Sequence, residues 1–443
     1  MCRLRRLIIN FYIIAERYHN CALCILHCAL TAEYKKLTKG NDVAITFEGS
    51  DFDSKIAKVD VYGSDTAWTV NDKEAWAGLT GFTTHTVNTE DAKEALAKLP
   101  VESVTKEQEL KKFYYARATD FAGNISYISS GGVLQDITAP SVNIALVEDA
   151  DQKTYDSKNV YDDTVEFTLA IEDLGKTSGI SAVEVTLKNN KGTVLQTYTA
   201  ETSSIWTSTE DIKEINELNA TTNPTEKQIA DANTCVDKNG LTAELIGLDD
   251  GYYTLTAKVT DKVGNESVES TVSFIKDSAA PVVDVKNNLT YNEARTFDNL
   301  YTGGTYVVTI QEMTLTTSVD ELITGISDET ANWNITTNAG TGLVTYAITL
   351  NFGKDALYKE GYYNFKVNTK DAFERETSDS SGDFTIDYTA PTFNVSYSDT
   401  ADNAYVGDKV DGKDKLYYNG DIVSEFTINE DTTFEDAILT ISV

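Results

Sequence analysis

One stretch constrains this chain more than any other: GYYTLTAKVTDKVGNESVESTVSFIKDSAAP, from Gly251 to Pro281. It recurs, altered, as FYYARATDFAGNISYISSGGVLQDITAP ending at Pro140, and as GYYNFKVNTKDAFERETSDSSGDFTIDYTAP ending at Pro391. In each copy an Asp (Asp120, Asp261, Asp371) stands 20 positions before the Pro, and a second Asp (Asp136, Asp277, Asp387) comes 16 positions after the first. Fixed internal spacing means one supersecondary unit used several times.

Alternation inside the stretch sets two faces. Tyr253, Leu255, Ala257 and Val259 share one face, as do Tyr363, Phe365 and Val367, and Tyr114, Ala116 and Ala118. The returning strand puts Val133, Phe274 and Phe384 at the equivalent inward place. Between the two strands, Gly123-Asn124 and Gly264-Asn265 read as tight turns, whereas the third copy lacks the Gly-Asn pair.

A chain of 443 residues exceeds one ordinary core and suits three or four domains. The repeats divide it into 40–138, 139–279 and 280–389, with a fourth begun at 390–443 that stops before its later strands. The chain therefore reads as a fragment of a longer array. The second repeat carries an insertion near 208–239 with two helix-like pieces, TEDIKEINEL and PTEKQIADA, opened by Thr or Ser caps and early acids. Asp91–Leu99 reads as a short helix in the first repeat.

Residues 1–39 do not match the repeats. CRLRRLIINFYIIA has the basic start and short apolar run of an export signal, but Glu16, Arg17, His19 and Asn20 interrupt it. It reads as a degenerate or mis-started export segment, poorly ordered. His19, Cys21, Cys24, His27 and Cys28 lack the spacing of paired Cys-x-x-Cys zinc fingers. With only Cys235 beyond them, the repeats have no disulfide framework.

A net charge of −33 excludes nucleic acid and anionic membrane as partners, since both need a basic face. None of the three His (His19, His27, His85) recurs in the repeats, so no Ser/His/Asp or Cys/His arrangement fits within one repeat. The four Trp occupy no common place, which ranks sugar binding below packing.

The G-Y-Y strand, the D-x-x-G-N turn and the D-x-x-A-P exit together resemble the tandem immunoglobulin-like repeats of bacterial surface proteins, over roughly residues 40–443. The resemblance implies an all-β fold, a run of immunoglobulin-like or fibronectin-III-like seven-stranded β-sandwiches with short helical insertions in the first two. It also implies a tyrosine corner at Tyr253 and Tyr363. The antibody-type Cys–Trp–Cys core is absent. The function implied is a non-catalytic, extracellular stalk or adhesin on a bacterial surface, whose partner is a surface protein or glycan of a host or neighbouring cell. A different class stays open: accessory modules of a large secreted enzyme acting on carbohydrate.

In such a sandwich, the loops after the second and sixth strands share a pole with the chain entry. That gathers Asp136, Glu172, Asp173, Asp261 and Asn265 at the first joint. The analogous sets are Asp277, Glu312 and Asp371, then Asp387, Glu430 and Asp431. Several hard oxygens around a short linker suit Ca²⁺. Asp and Asn also sit in turns for local hydrogen bonding and keep an acidic chain soluble. The residues alone leave both readings open.

Overall fold

The computed structural model describes residues 7–14, 34–41, 43–50, 56–68, 76–86, 96–148, 152–237, 240–326, 332–399, 405–410, 413–417 and 422–429. The chain divides into two compact units, Met1–Ser278 and Ala279–Val443.

The first unit holds two β-sandwiches. In the first, Tyr34–Thr38, Ile125–Gln135, Leu110–Asp120, Ile56–Ser64 and Thr83–Thr86 form one sheet in that order, and Leu7–Ile14, Val43–Ser50 and Leu96–Val104 form the other. Residues of Val43–Ser50, Ile56–Ser64, Leu96–Val104, Leu110–Asp120 and Ile125–Gln135 enter the shared core, where Ile45, Val59, Val61, Val104, Tyr114, Ala116 and Val133 are buried. Burying one such side chain contributes about 1.5–3 kcal/mol.

One expectation changes here, and a segment set aside above is paired. Leu7–Ile14, in the segment set aside as export signal, is a strand paired in parallel with Val43–Ser50. Its apolar run, too short for a bilayer, has the length of an ordinary strand. Leu96–Leu99, expected as the end of a helix, pairs antiparallel with Phe47–Ser50 instead. Cross-strand pairing there overrides a weak local helix preference. Residues 91–95 of that expected helix lie outside the described residues.

In the second sandwich, Ser141–Leu146, Val165–Glu172 and Leu241–Leu245 form one sheet, with Val165–Glu172 central. Gly251–Asp261 lies inside the opposite six-stranded sheet, between Ile180–Asn189 and Ser270–Lys276. Its alternation is realised: Tyr253, Leu255, Ala257 and Val259 are buried, and Phe274 comes in from the return strand. The Tyr253 and Phe274 rings stack at 5.5 Å. Tyr253 Oη donates to the Asp249 carbonyl at 2.8 Å, the corner that the resemblance implied.

The insertion forms two helices, α1 (Thr209–Ala220) and α2 (Glu226–Asp237). A capping box opens α2: Gln228 N donates to Thr225 Oγ1, and Thr225 N donates back to Gln228 Oε1, at 3.2 and 3.0 Å.

In the second unit, Val282–Thr290, Gly303–Glu312, Val344–Phe352 and Asn334–Thr337 form a four-stranded sheet. The GYY strand is split into Gly361–Tyr363 and Lys366–Lys370, each in a small sheet of its own. Tyr306, Phe352, Tyr363, Phe365 and Phe384 pack as an aromatic cluster. The corner recurs, with Tyr363 Oη donating to the Lys359 carbonyl at 3.0 Å. Beyond it, Thr392–Asp399 pairs with Ile422–Asn429, and Tyr405–Val410 with Lys413–Tyr417.

Candidate metal centre

Three carboxylates meet at one pole of the second sandwich. Asp136 comes directly after the last strand of the first sandwich, and its main-chain N–H still pairs with the Thr38 carbonyl at 3.2 Å. Asp173 comes directly after the strand Val165–Glu172, and Asp261 ends the strand Gly251–Asp261. Each offers an oxygen, and these oxygens all lie within 4.8 Å of one another.

Backbone amides hold the three in place. Asp136 Oδ2 accepts from Ser178 N and Asp173 Oδ2 from Gly179 N, each at 2.7 Å. Asp261 Oδ1 accepts from Val263 N at 3.0 Å and Asn265 N at 2.7 Å, and its Oδ2 from Asn265 Nδ2 at 2.7 Å. Asn265 Nδ2 also reaches the Asp136 carbonyl at 3.1 Å. Ile180 N, next along from Ser178 and Gly179, donates to Asn233 Oδ1 of α2 at 3.3 Å. Three successive amides thus bind side chains from three different elements. The positive φ of Gly179, +90°, permits this path.

The electrostatics are unbalanced. None of the three acids forms an ion pair among the described residues. Burial pushes Asp136 up to about 6, helped by the charge on Asp261. Burial pushes Asp173 up to about 7, and the charges on Asp136 and Asp261 add to it. Burial also raises Asp261, against the hydrogen bonds from Asn265, Gly264 and Val263. Two further polar atoms bear on the site. Asp173 Oδ1 is buried and, beside Asn233, finds no partner of hydrogen-bond geometry among the described residues. Beside the Asp136 carboxylate, the fully buried Ser178 Oγ finds no partner of hydrogen-bond geometry. Buried polar atoms are ordinarily satisfied, so these two have room for a partner that the surrounding side chains do not supply. The donor set is all oxygen with no His or Cys, which fits a hard cation such as Ca²⁺ or Mg²⁺.

The molecule contains its own comparisons. Asp120 and Asn124 make the same turn, with Asn124 N and Nδ2 each 2.7 Å from the carboxylate, but Asn124 is exposed. At Asp371 the residue four places on is Arg375, which supplies its main-chain N–H at 2.8 Å and pairs its guanidinium with Asp371 Oδ2. The turn is therefore local chemistry. Burial of the turn distinguishes Asp261 from Asp120, and the lack of an ion pair among the described residues distinguishes it from Asp371, which is buried as deeply.

The structure brings Asp136, Asp173, Asp261 and Asn265 together and leaves Glu172 out. Glu172 is exposed, because alternation along its strand turns it to the opposite face from Ile171. Asp277 closes the first unit, buried, with its N–H on the Tyr161 carbonyl at 2.8 Å. Glu312 and Asp371 belong to the second unit, where Glu312 Oε1 accepts from Met313 N and Thr314 N at 2.8 Å. Asp387 donates its N–H to the Tyr301 carbonyl at 2.8 Å, while Glu430 and Asp431 lie outside the described residues. Sequence reasoning missed Ser178 and Asn233. Only the Gly179 turn hinted at the first, and nothing local pointed to the second.

No protein-family model matches this chain, and no curated protein matches it. Similar solved structures include a tetra-tandem repeat from the extending region of a large adhesion protein, at 17% identity and TM-score 0.37, covering 86% of this chain and 83% of that one. Another belongs to a 1.5-MDa bacterial ice-binding adhesin, at 14% identity and TM-score 0.25, covering 79% and 93%. Fibronectin(III)-like modules of Clostridium thermocellum CbhA align at 14% identity and TM-score 0.20, covering 55% and 90%. At such scores the likeness carries no argument, and the fold rests on the strand pairing above. The chain is a tandem array of β-sandwiches. Among the described residues, no helix is long and apolar enough to cross a membrane.

Proposed function

We propose that this array is a non-catalytic, extracellular structural or adhesive element of a bacterial surface, and that a Ca²⁺ ion held by Asp136, Asp173 and Asp261 stiffens the joint between its first two sandwiches. The observation that carries the reading is the cluster itself: three carboxylates from both sides of a repeat joint, without a counter-cation. An ion there would neutralise their repulsion and bind the folded joint only, which stabilises it by mass action. Asn265 would keep its present role, orienting Asp261 and holding the Asp136 carbonyl. The Trp side chains favour packing over sugar recognition. Trp76 and Trp206 are buried, and Trp68 stacks on Tyr115 at 3.9 Å.

The test is a thermal melt of the chain in millimolar calcium, in chelator and in magnesium at fixed ionic strength. At a calcium concentration of about 100 times Kd the stabilisation reaches about 2.7 kcal/mol. Loss of the calcium-dependent rise in Asp136→Ala and Asp173→Ala is expected. A wild-type melt that calcium does not move overturns the metal reading and leaves the joint to its hydrogen bonds.

A further inference from the structure

The α1–α2 hairpin is an insertion of the second sandwich, yet it does not serve that sandwich alone. Ile212 and Ile215 of α1 enter the core of their own sandwich. One turn further on, Leu218 leaves that core. Together with Ile229 and Ala232 of α2, it joins a separate buried cluster whose other members are Trp76, Phe113, Tyr115 and Leu134 of the first sandwich. A period near 3.6 over i, i+3 and i+6 drifts round the helix, so one helix can present its early turns to one body and its last turn to another.

Polar contacts run the same way. Lys111 of the first sandwich pairs with Glu226, at the start of α2, at 3.9 Å. Lys262 Nζ donates to the Asn219 carbonyl at 2.7 Å, supplying a cation to the C-terminal end of a helix whose last turn has no basic residue. Gly179 closes the packing: a Cβ there would stand 2.5 Å from Leu218 Cδ2. Ile180 N is held by Asn233 of α2.

We infer that the hairpin is a clamp that makes the first two sandwiches one cooperative folding unit, independent of any ion at the acidic pole. Phe113, Tyr115 and Leu134 lie in the two long strands at the centre of the first sandwich. Sharing one buried cluster with Leu218, Ile229 and Ala232 makes that sandwich's stability contingent on α1 and α2, which fold with the second. A joint fixed only by a short linker and an ion would loosen when the ion is removed. This joint would not.

Amide hydrogen exchange on the full chain, in chelator and across a denaturant series, reads the coupling directly. In the wild type, amides of Leu110–Asp120 and Gly251–Asp261 should share one opening free energy and one denaturant dependence. First-sandwich amides that exchange more than tenfold faster, with a smaller denaturant dependence of their own, overturn the clamp, and this arm needs no variant. In Leu218→Ser/Ile229→Ser, protection of Leu110–Asp120 should fall at least tenfold while Val165–Glu172 keeps its own. Unchanged protection in Leu110–Asp120 overturns it as well. Because chelator is present throughout, failure here leaves the calcium reading untouched, and failure of the calcium melt leaves the clamp untouched.

Discussion

Asn265 Nδ2 lies 3.1 Å from the carbonyl oxygen of Asp136, a residue 129 positions earlier in the chain. The same amide nitrogen is 2.7 Å from Asp261 Oδ2. One side chain thus completes a turn in the second sandwich and ties it to the exit of the first.

Asn265→Ala should therefore cost more than Asn124→Ala, although the two turns have matching internal distances. Removing Asn265 strips buried acceptors on two residues of their donor, a loss of about 1–3 kcal/mol, whereas the exposed Asn124 is replaced by water. Denaturant titration of the two variants checks this, and equal costs would deny the cross-joint bond its role.

The metal-free protein should lose stability as pH rises from 4 towards 7. Asp136 and Asp173 have folded-state values of about 6 and about 7 against 3.8 for an ordinary carboxyl. A raised carboxyl favours the folded state when protonated. Its contribution is fully present below the unfolded value and is gone once pH passes the folded one. In chelator the midpoint at pH 5 should exceed that at pH 7.5 by roughly 5 °C, and Asp136→Asn/Asp173→Asn should remove most of the difference. A melt that rises with pH in wild type and double variant alike would contradict the sign.

Arg117→Met should destabilise the first sandwich by about 3–5 kcal/mol. Asp60 is fully buried, and its Oδ2 accepts from Arg117 Nη2 at 2.6 Å and Nε at 3.0 Å, while Thr84 Oγ1 donates to its Oδ1 at 2.6 Å. The Arg117 guanidinium also lies 4.9 Å from the Trp76 ring. Removing the guanidinium leaves the buried carboxylate with only the half-exposed Lys58 at 3.6 Å and the Thr84 hydroxyl. Adding Asp60→Asn should recover a large part of the loss, and calorimetry of the single and double variants measures how much.

Glu374→Gly should stabilise the second unit. Glu374 has φ +62°, in the turn where the other two copies place Gly123 and Gly264 at +87° and +91°. Left-handed backbone costs a side-chain-bearing residue about 1–2 kcal/mol, and the extra unfolded-state freedom of Gly returns part of that. A net gain of about 0.5–1 kcal/mol in chemical denaturation is expected, and a net loss would mean the Glu374 side chain has a role its turn does not reveal.

Much of the fold was legible because strand chemistry is local and periodic. Tyr253, Leu255, Ala257, Val259 and Phe274 announced a core face two residues at a time, and Gly264-Asn265 announced the turn between them. One position where local preference misled is one that long-range pairing decides. Leu96–Leu99 looks helical until Val43–Ser50 lies beside it, and the same strand pairs on its other edge with Leu7–Ile14.

By itself, the sequence determined that this chain repeats one β-sandwich unit and that acids recur at its joints, because spacing and alternation are properties of the chain alone. Only the tertiary structure decided which acids meet. It set Asp136, Asp173 and Asp261 within 4.8 Å of one another, turned Glu172 outward, and gave Asp371 an arginine. Only the tertiary structure brought Leu218 and Ile229 into one buried cluster with Phe113 and Leu134 of the preceding sandwich. Burial and charge imbalance arise where separate segments converge, and no local pattern in a chain encodes the neighbours that folding will bring.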